Sequence, residues 1–148
     1  MHIIPLSRFL VILVSFCVTS NSIMAQHKDK DELFTEESYY KIKWGFANEF
    51  IDLWKKNHYP LMKKAQEKGD ILSIIAEKPM MHSGEDTRWD FKVTVIYKNA
   101  AAGLDHGLTD QYKKQLYPDL DKLKKDEQYR FEMVLAHWDV MTEKIELK

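Results

Sequence analysis

A chain of 148 residues, 45% hydrophobic and 12% aromatic, supplies one core of ordinary size and is neither a disordered polymer nor two full domains. Its 22 basic and 23 acidic residues nearly cancel to a net charge of −1, which argues against a general nucleic-acid binder. With Cys17 as the sole cysteine, no disulfide can form within the chain.

Arg8 is the only Lys, Arg, Asp or Glu in residues 1–25, and it precedes an apolar run, Phe9 to Val18, broken only by Ser15. Polar Thr19 to Ser22 and then Ile23-Met24-Ala25 follow, ahead of the charged run from Gln26 to Glu32. This is the layout of a secretory signal cleaved near Ala25. The apolar run falls short of the roughly 20 residues that a spanning helix requires. Bulky Phe16 before Cys17 speaks against lipid attachment there. The expectation is an exported protein, periplasmic or secreted, with no stable membrane insertion after cleavage and no cysteine left for thiolate metal sites.

Residues 26–37 are charged and aperiodic, the pattern of a flexible leader, and residues 38–148 are expected to form a single α+β domain. Ser38 to Trp44 alternates, with Tyr40, Ile42 and Trp44 on one face, and predicts a first strand. Phe46 to Lys68 carries an apolar stripe at helical spacing and ends at Gly69, with Pro60 expected to kink it because proline cannot donate to the carbonyl of Lys56. Ile71 to Ala76 reads as a short buried strand, Met80 to Arg88 as a hairpin loop, and Trp89 to Tyr97 as an alternating strand with Trp89, Phe91, Val93, Val95 and Tyr97 on one face. Ala100 to Val134 is helical but interrupted by Gly103, Gly107 and Pro118, which predicts two or three pieces. A last strand is expected around His137 to Thr142. The resulting order, βαββαβ, defines a ferredoxin-like α+β sandwich. Lys55-Lys-Asn-His-Tyr-Pro60 also echoes Lys113-Lys-Gln-Leu-Tyr-Pro118, so that His58 occupies the place of Leu116 in the second copy.

The segment Phe50-x-x-x-Trp54-x-x-x-His58-x-Pro60-Leu61, directly after a strand, resembles the EthD and NIPSNAP branch of the dimeric α+β barrel superfamily, over about residues 38–142. The chain is similar as well to uncharacterised exported bacterial proteins of this size. The resemblance implies a homodimer built sheet to sheet and a pocket between helices and sheet with His58 near its mouth. Members of the superfamily include cofactor-free monooxygenases, isomerases, dehydratases, haem-dependent enzymes and proteins without known activity, so fold alone selects no reaction.

His58 is the leading candidate for acid–base chemistry, since an unperturbed imidazole titrates near pH 6.5. His137 and Asp139 form a weaker pair: on a strand they point the same way, and the carboxylate can orient the imidazole. Tyr40, Trp44, Phe50, Trp54 and Trp89 are the candidate ligand-binding side chains. His27, His58, His82, His106 and His137 show no i, i+4 or His-x-His spacing, and no metal site is expected. Three functions are consistent with these residues. The first is an exported small-molecule-binding protein that needs no cofactor. The second is a cofactor-free enzyme using His58, and the third a haem-binding protein with His58 or His137 as axial ligand.

Overall fold

The computed structural model describes residues 32–145 and 147. The expected signal segment and residues 26–31 of the leader lie outside the described residues. In chain order the elements are β1 (Phe34–Ile42), α1 (Ala47–Leu53), a π-helical turn (Trp54–His58), α2 (Tyr59–Glu67), β2 (Ile71–Glu77), β3 (Phe91–Tyr97), α3 (Ala100–Gly103), α4 (Asp110–Leu116), α5 (Leu120–Glu132) and β4 (Val134–Thr142). The strands make one antiparallel sheet in the order β2-β3-β1-β4, and the helices cover one of its faces. This is the ferredoxin-like sandwich expected from the element order.

Alternation decides which side chains the helices cover. Phe91, Val93 and Val95 of β3 are almost fully buried, as are Tyr40 and Ile42 of β1 and Ile71 of β2. Phe50, Ile51, Trp54, Leu61, Met62 and Ala65 descend on them from the long helix, and Tyr112 and Met133 complete the cluster. Burial of this apolar surface, at roughly 25 cal/mol per Å², is the main force holding the two layers together.

β1 begins at Phe34, four residues before the expected start at Ser38, so residues 34–37 of the expected leader are strand. Their charges hid the strand, but β1 is central and pairs on both sides, Phe34 with Tyr97 of β3 and Thr35 with Thr142 of β4. β4 likewise starts early, at Val134, directly after α5. The strand at Trp89 is corrected in the other direction. Its first two residues are not ladder residues, because Asp90 turns there to donate its N–H to the Tyr40 carbonyl (2.8 Å).

The long helix holds from Ala47 to Glu67 and stops at Gly69, whose φ of 83° is open to glycine at little cost. Its irregularity lies upstream of Pro60, in the π turn. Pro60 has no N–H for the Lys56 carbonyl, and the Tyr117 hydroxyl lies within hydrogen-bond distance of both that carbonyl (3.1 Å) and the Asn57 carbonyl (2.9 Å). Pro118, the supposed counterpart of Pro60, falls instead between α4 and α5. His58 and Leu116 are therefore not equivalent positions, and the sequence echo does not reflect duplicated structure.

A second buried polar feature locks the end of β1. The Arg88 side chain, 2% exposed, donates through Nη1 to the Ile42 carbonyl (3.1 Å) and to Asp90 Oδ1 and Oδ2 (2.9 and 2.8 Å). Asp90 Oδ2 also accepts the Ile42 N–H (2.8 Å), and the guanidinium stacks on Trp44 at 4.1 Å. Replacing Arg88 by Met would strand the Asp90 carboxylate, and breaking such a pair costs about 3–5 kcal/mol. A denaturant titration of Arg88→Met is expected to show a loss of that size; a loss below about 1 kcal/mol, the level of an exposed pair, would contradict the clamp.

Candidate functional site

Between the helices and the half of the sheet formed by β1, β3 and β4 lies a cavity of about 240 Å³. Its floor is polar. β1 contributes Glu36, Ser38 and Tyr40, and β4 contributes Asp139 and His137, placed opposite Ser38 and Tyr40 by the strand register. β3 adds Val93, Val95 and Tyr97, the long helix Trp54, His58 and Met62, and α5 Arg130 and Phe131. In an unbroken α-helix, Trp54 and Met62 would be rotated apart by about 80°, given 3.6 residues per turn. The π turn absorbs an extra residue between them, so that Trp54, His58 and Met62 stay on the cavity side. Such bulges recur at functional sites.

The polar groups on the floor are partly satisfied by one another. Ser38 Oγ donates to Asp139 Oδ1 (2.6 Å), and His137 Nε2 is 3.2 Å from the same oxygen. The His137 ring stacks on Tyr40 with centroids 4.3 Å apart. Tyr97 Oη donates to Glu36 Oε2 (3.2 Å). Burial, then the nearby Asp139 charge, raises the Glu36 carboxyl above the usual carboxylate range. Burial also pushes the Tyr40 phenol up to about 12, with the Arg130 charge working in the opposite direction, and raises Tyr97 further. Both phenols are therefore neutral hydrogen-bonding groups near pH 7.

His58 lies against Trp54, with ring centroids 5.8 Å apart. Burial lowers its pKa to about 4, and the positive charges of Arg130 and Lys113 act in the same direction. The imidazole is thus neutral at physiological pH and does not sit at its unperturbed value near 6.5. The carbonyl freed by Pro60, which could have satisfied it, is taken by Tyr117.

Of the expected ligand-binding side chains, Tyr40 and Trp54 line this cavity. Phe50 does not: it is fully buried behind Tyr40, with ring centroids 5.1 Å apart, and packs under Arg130. Trp44 does not line it either, because β1 ends at Ile42 and the turn through Gly45 leaves the indole 61% exposed beside Arg88. Trp89 precedes the ladder of β3 and meets Tyr39 edge-on, on the sheet face away from the helices. Sequence reasoning missed Glu36 and Ser38, which it placed in or beside the leader, and Arg130. Arg130 had a signal: it falls seven residues after buried Leu123, on the apolar side of α5.

A larger cleft, about 330 Å³, lies at the other end of β1 and is bordered by residues 32–35, Ala100 and residues 141–144. None of the buried polar residues Asn57, Arg88 and Arg130 faces it, so the smaller cavity is the better candidate. Among the described residues no group of three or more His, Cys, Asp or Glu side chains could hold a metal ion. No helix among the described residues is long and apolar enough to cross a membrane.

A ferredoxin-like sandwich with one polar-floored cavity under its helices is the class that fold and site define. No protein-family model matches the chain, and comparison with curated proteins finds no match. Among solved structures it is similar to a candidate antibiotic biosynthesis monooxygenase from Nitrosomonas europaea, at 11% identity and a TM-score of 0.51, over 78% of this chain and 93% of that one. A candidate antibiotic biosynthesis monooxygenase from Bacteriodes thetaiotaomicron VPI-5482 aligns at 14% identity and a TM-score of 0.48, over 79% and 97%. A dimeric ferredoxin-like protein from an uncultured marine organism aligns at 9% identity and a TM-score of 0.48, over 80% and 96%. At these identities the likeness concerns the fold alone.

The titration of His58 has a consequence for stability. Its folded-state pKa lies below the unfolded value, so the unfolded chain takes up a proton first as pH falls. Stability should be intact above about pH 6.5 and decline by up to about 3 kcal/mol on the way to pH 4. In chemical denaturation as a function of pH, His58→Gln is expected to flatten that decline. An unchanged slope in the variant would show that His58 is not buried in its neutral form.

Proposed function

We propose that this chain is an exported, homodimeric protein that binds a small organic molecule in the cavity between its helices and sheet. The observation that carries this reading is the cavity itself, where Glu36, Ser38, Tyr97 and Arg130 converge inside walls of Trp54, Met62, Val93 and Val95. An apolar chamber with a few convergent polar groups is the usual form of a small-molecule site. Trp54 on the wall serves as a natural reporter. Binding of a panel of one-ring aromatic compounds should quench its fluorescence, and Val95→Phe, which fills the chamber from β3, should weaken binding at least tenfold while preserving the circular dichroism spectrum. Undiminished binding by the folded variant would move the site elsewhere.

A second reading is a cofactor-free enzyme in which His58 accepts a proton from the bound molecule. The place of the unprotonated imidazole on the cavity wall favours it, while a pKa lowered to about 4 makes that imidazole a weak base. The Nitrosomonas europaea protein of similar fold is a candidate antibiotic biosynthesis monooxygenase. The bound compounds distinguish the readings: conversion that disappears in His58→Ala while binding persists identifies an enzyme, and recovery of every compound unchanged identifies a binding protein.

The sheet face away from the helices supports the dimer. It presents Trp138, stacked on Tyr39 with centroids 5.4 Å apart, together with exposed Ile75 and Val140, beside the Lys92–Glu77 pair. A second copy would shelter the apolar side chains, and a two-fold axis would make the surface self-complementary. The apolar run from Phe9 to Val18 supports export. Native mass spectrometry of protein expressed with residues 1–25 is expected to show two chains, each beginning after Ala25. A monomer at micromolar concentration would remove the dimer, and retention of residues 1–25 would remove the signal.

A further inference from the structure

Arg130 is the most heavily buried charge facing the cavity. The residue is 3% exposed, and among the described residues no carboxylate lies within 4 Å of its guanidinium. Its Nε is buried without a hydrogen-bond partner. The guanidinium is held by aromatic faces, 5.5 Å from the Phe50 centroid and 4.7 Å from that of Phe131. Ring faces and a hydrogen bond with the Tyr40 side chain offset part of the cost of removing the cation from water, and the Glu127 charge favours it from farther off, but no carboxylate pairs with it and Nε stays unmatched. A buried cation without a carboxylate partner is costly to a fold, and binding of an anion beside it would offset that cost.

The cavity contains two carboxyl groups, and both are engaged away from Arg130. Asp139 accepts from Ser38 and lies beside His137 on the open side, while Glu36 accepts from Tyr97. With His58 neutral, Arg130 is the one permanent cation among the residues that line the chamber. Around it the walls are aromatic and aliphatic: Tyr40, Trp54, Val93 and Val95.

We propose that the Arg130 guanidinium is an anion subsite and that the molecule this cavity holds is a small organic acid that turns a single carboxylate toward it. The inference rests on the reading of the cavity as a small-molecule site and adds the charge and polarity of the occupant. An Arg fork pairs with a carboxylate through parallel N–H donors, a geometry that lysine does not reproduce. The remainder of the acid would lie against Trp54 and the β3 valines.

Benzoate and its neutral isostere benzamide test this, with affinities taken from Trp54 fluorescence at pH 7. The wild-type protein is expected to bind benzoate at least ten times more tightly than benzamide. Arg130→Met should abolish that preference, bringing benzoate to the affinity of benzamide, and Arg130→Lys should keep part of it. Equal affinity of the wild-type protein for the two probes overturns the anion subsite but leaves the cavity reading intact, whether or not the Met variant folds. A benzoate preference that survives in folded Arg130→Met, or in Arg130→Lys at full strength, also overturns it. Binding of neither probe overturns the inference together with the cavity reading on which it rests.

Discussion

The structure depends on the double pairing of β1. Hydrogen-bonded to β3 on one side and to β4 on the other, this strand cannot rotate or slip, and its pleat sends every second residue beneath the helices. At the end near the α1 turn those residues are Tyr40 and Ile42, which seed the core. Toward Phe34 they are Glu36 and Ser38, which cannot pack against apolar helix stripes. The helices therefore close tightly over one half of the sheet and leave space over the other. The cavity follows from a strand whose sequence changes character halfway along a register that cannot change with it.

The long helix adapts to this in a second way. Deleting one hydrogen bond at Pro60 would normally expose the Lys56 carbonyl, but Tyr117, from the link between α4 and α5, reaches across to it. Asn57, 2% exposed, and Lys56 are tied to Asp126 of α5, at 3.3 and 2.8 Å. The irregular turn is thus braced by the same helical layer that delivers Arg130. Geometry at His58 and geometry at Arg130 are mechanically connected through a short set of named contacts.

Much of this layout was legible in the chain because period and burial agree over its longest elements. Phe91-x-Val93-x-Val95 reads as a half-buried strand and the stripe from Phe50 to Leu61 as a helix, while the expectation of His58 beside a pocket came with the family resemblance, and His58 lines the cavity in the structure. The failures arise where local polarity contradicts tertiary position. Glu36 and Glu37 looked like leader residues, yet backbone pairing on both sides outweighs their low strand propensity. Trp44 and Trp89 looked like pocket residues because alternation was extended one or two positions past the true strand ends, where Gly45 and Asp90 turn the chain. Arg130 was passed over as a site residue because lysine and arginine on a helix ordinarily face solvent, although its seven-residue spacing from Leu123 set it on the apolar side of α5, which packs it over Phe50.

The open chamber also carries a thermodynamic meaning. The chamber opens to solvent, so it is not a void sealed within the core. A molecule that binds there to the folded chain and not to the unfolded one adds RT ln(1 + [L]/Kd) to stability, about 2.7 kcal/mol at a hundredfold excess over Kd. Heat resistance and occupancy are then two readings of the same equilibrium.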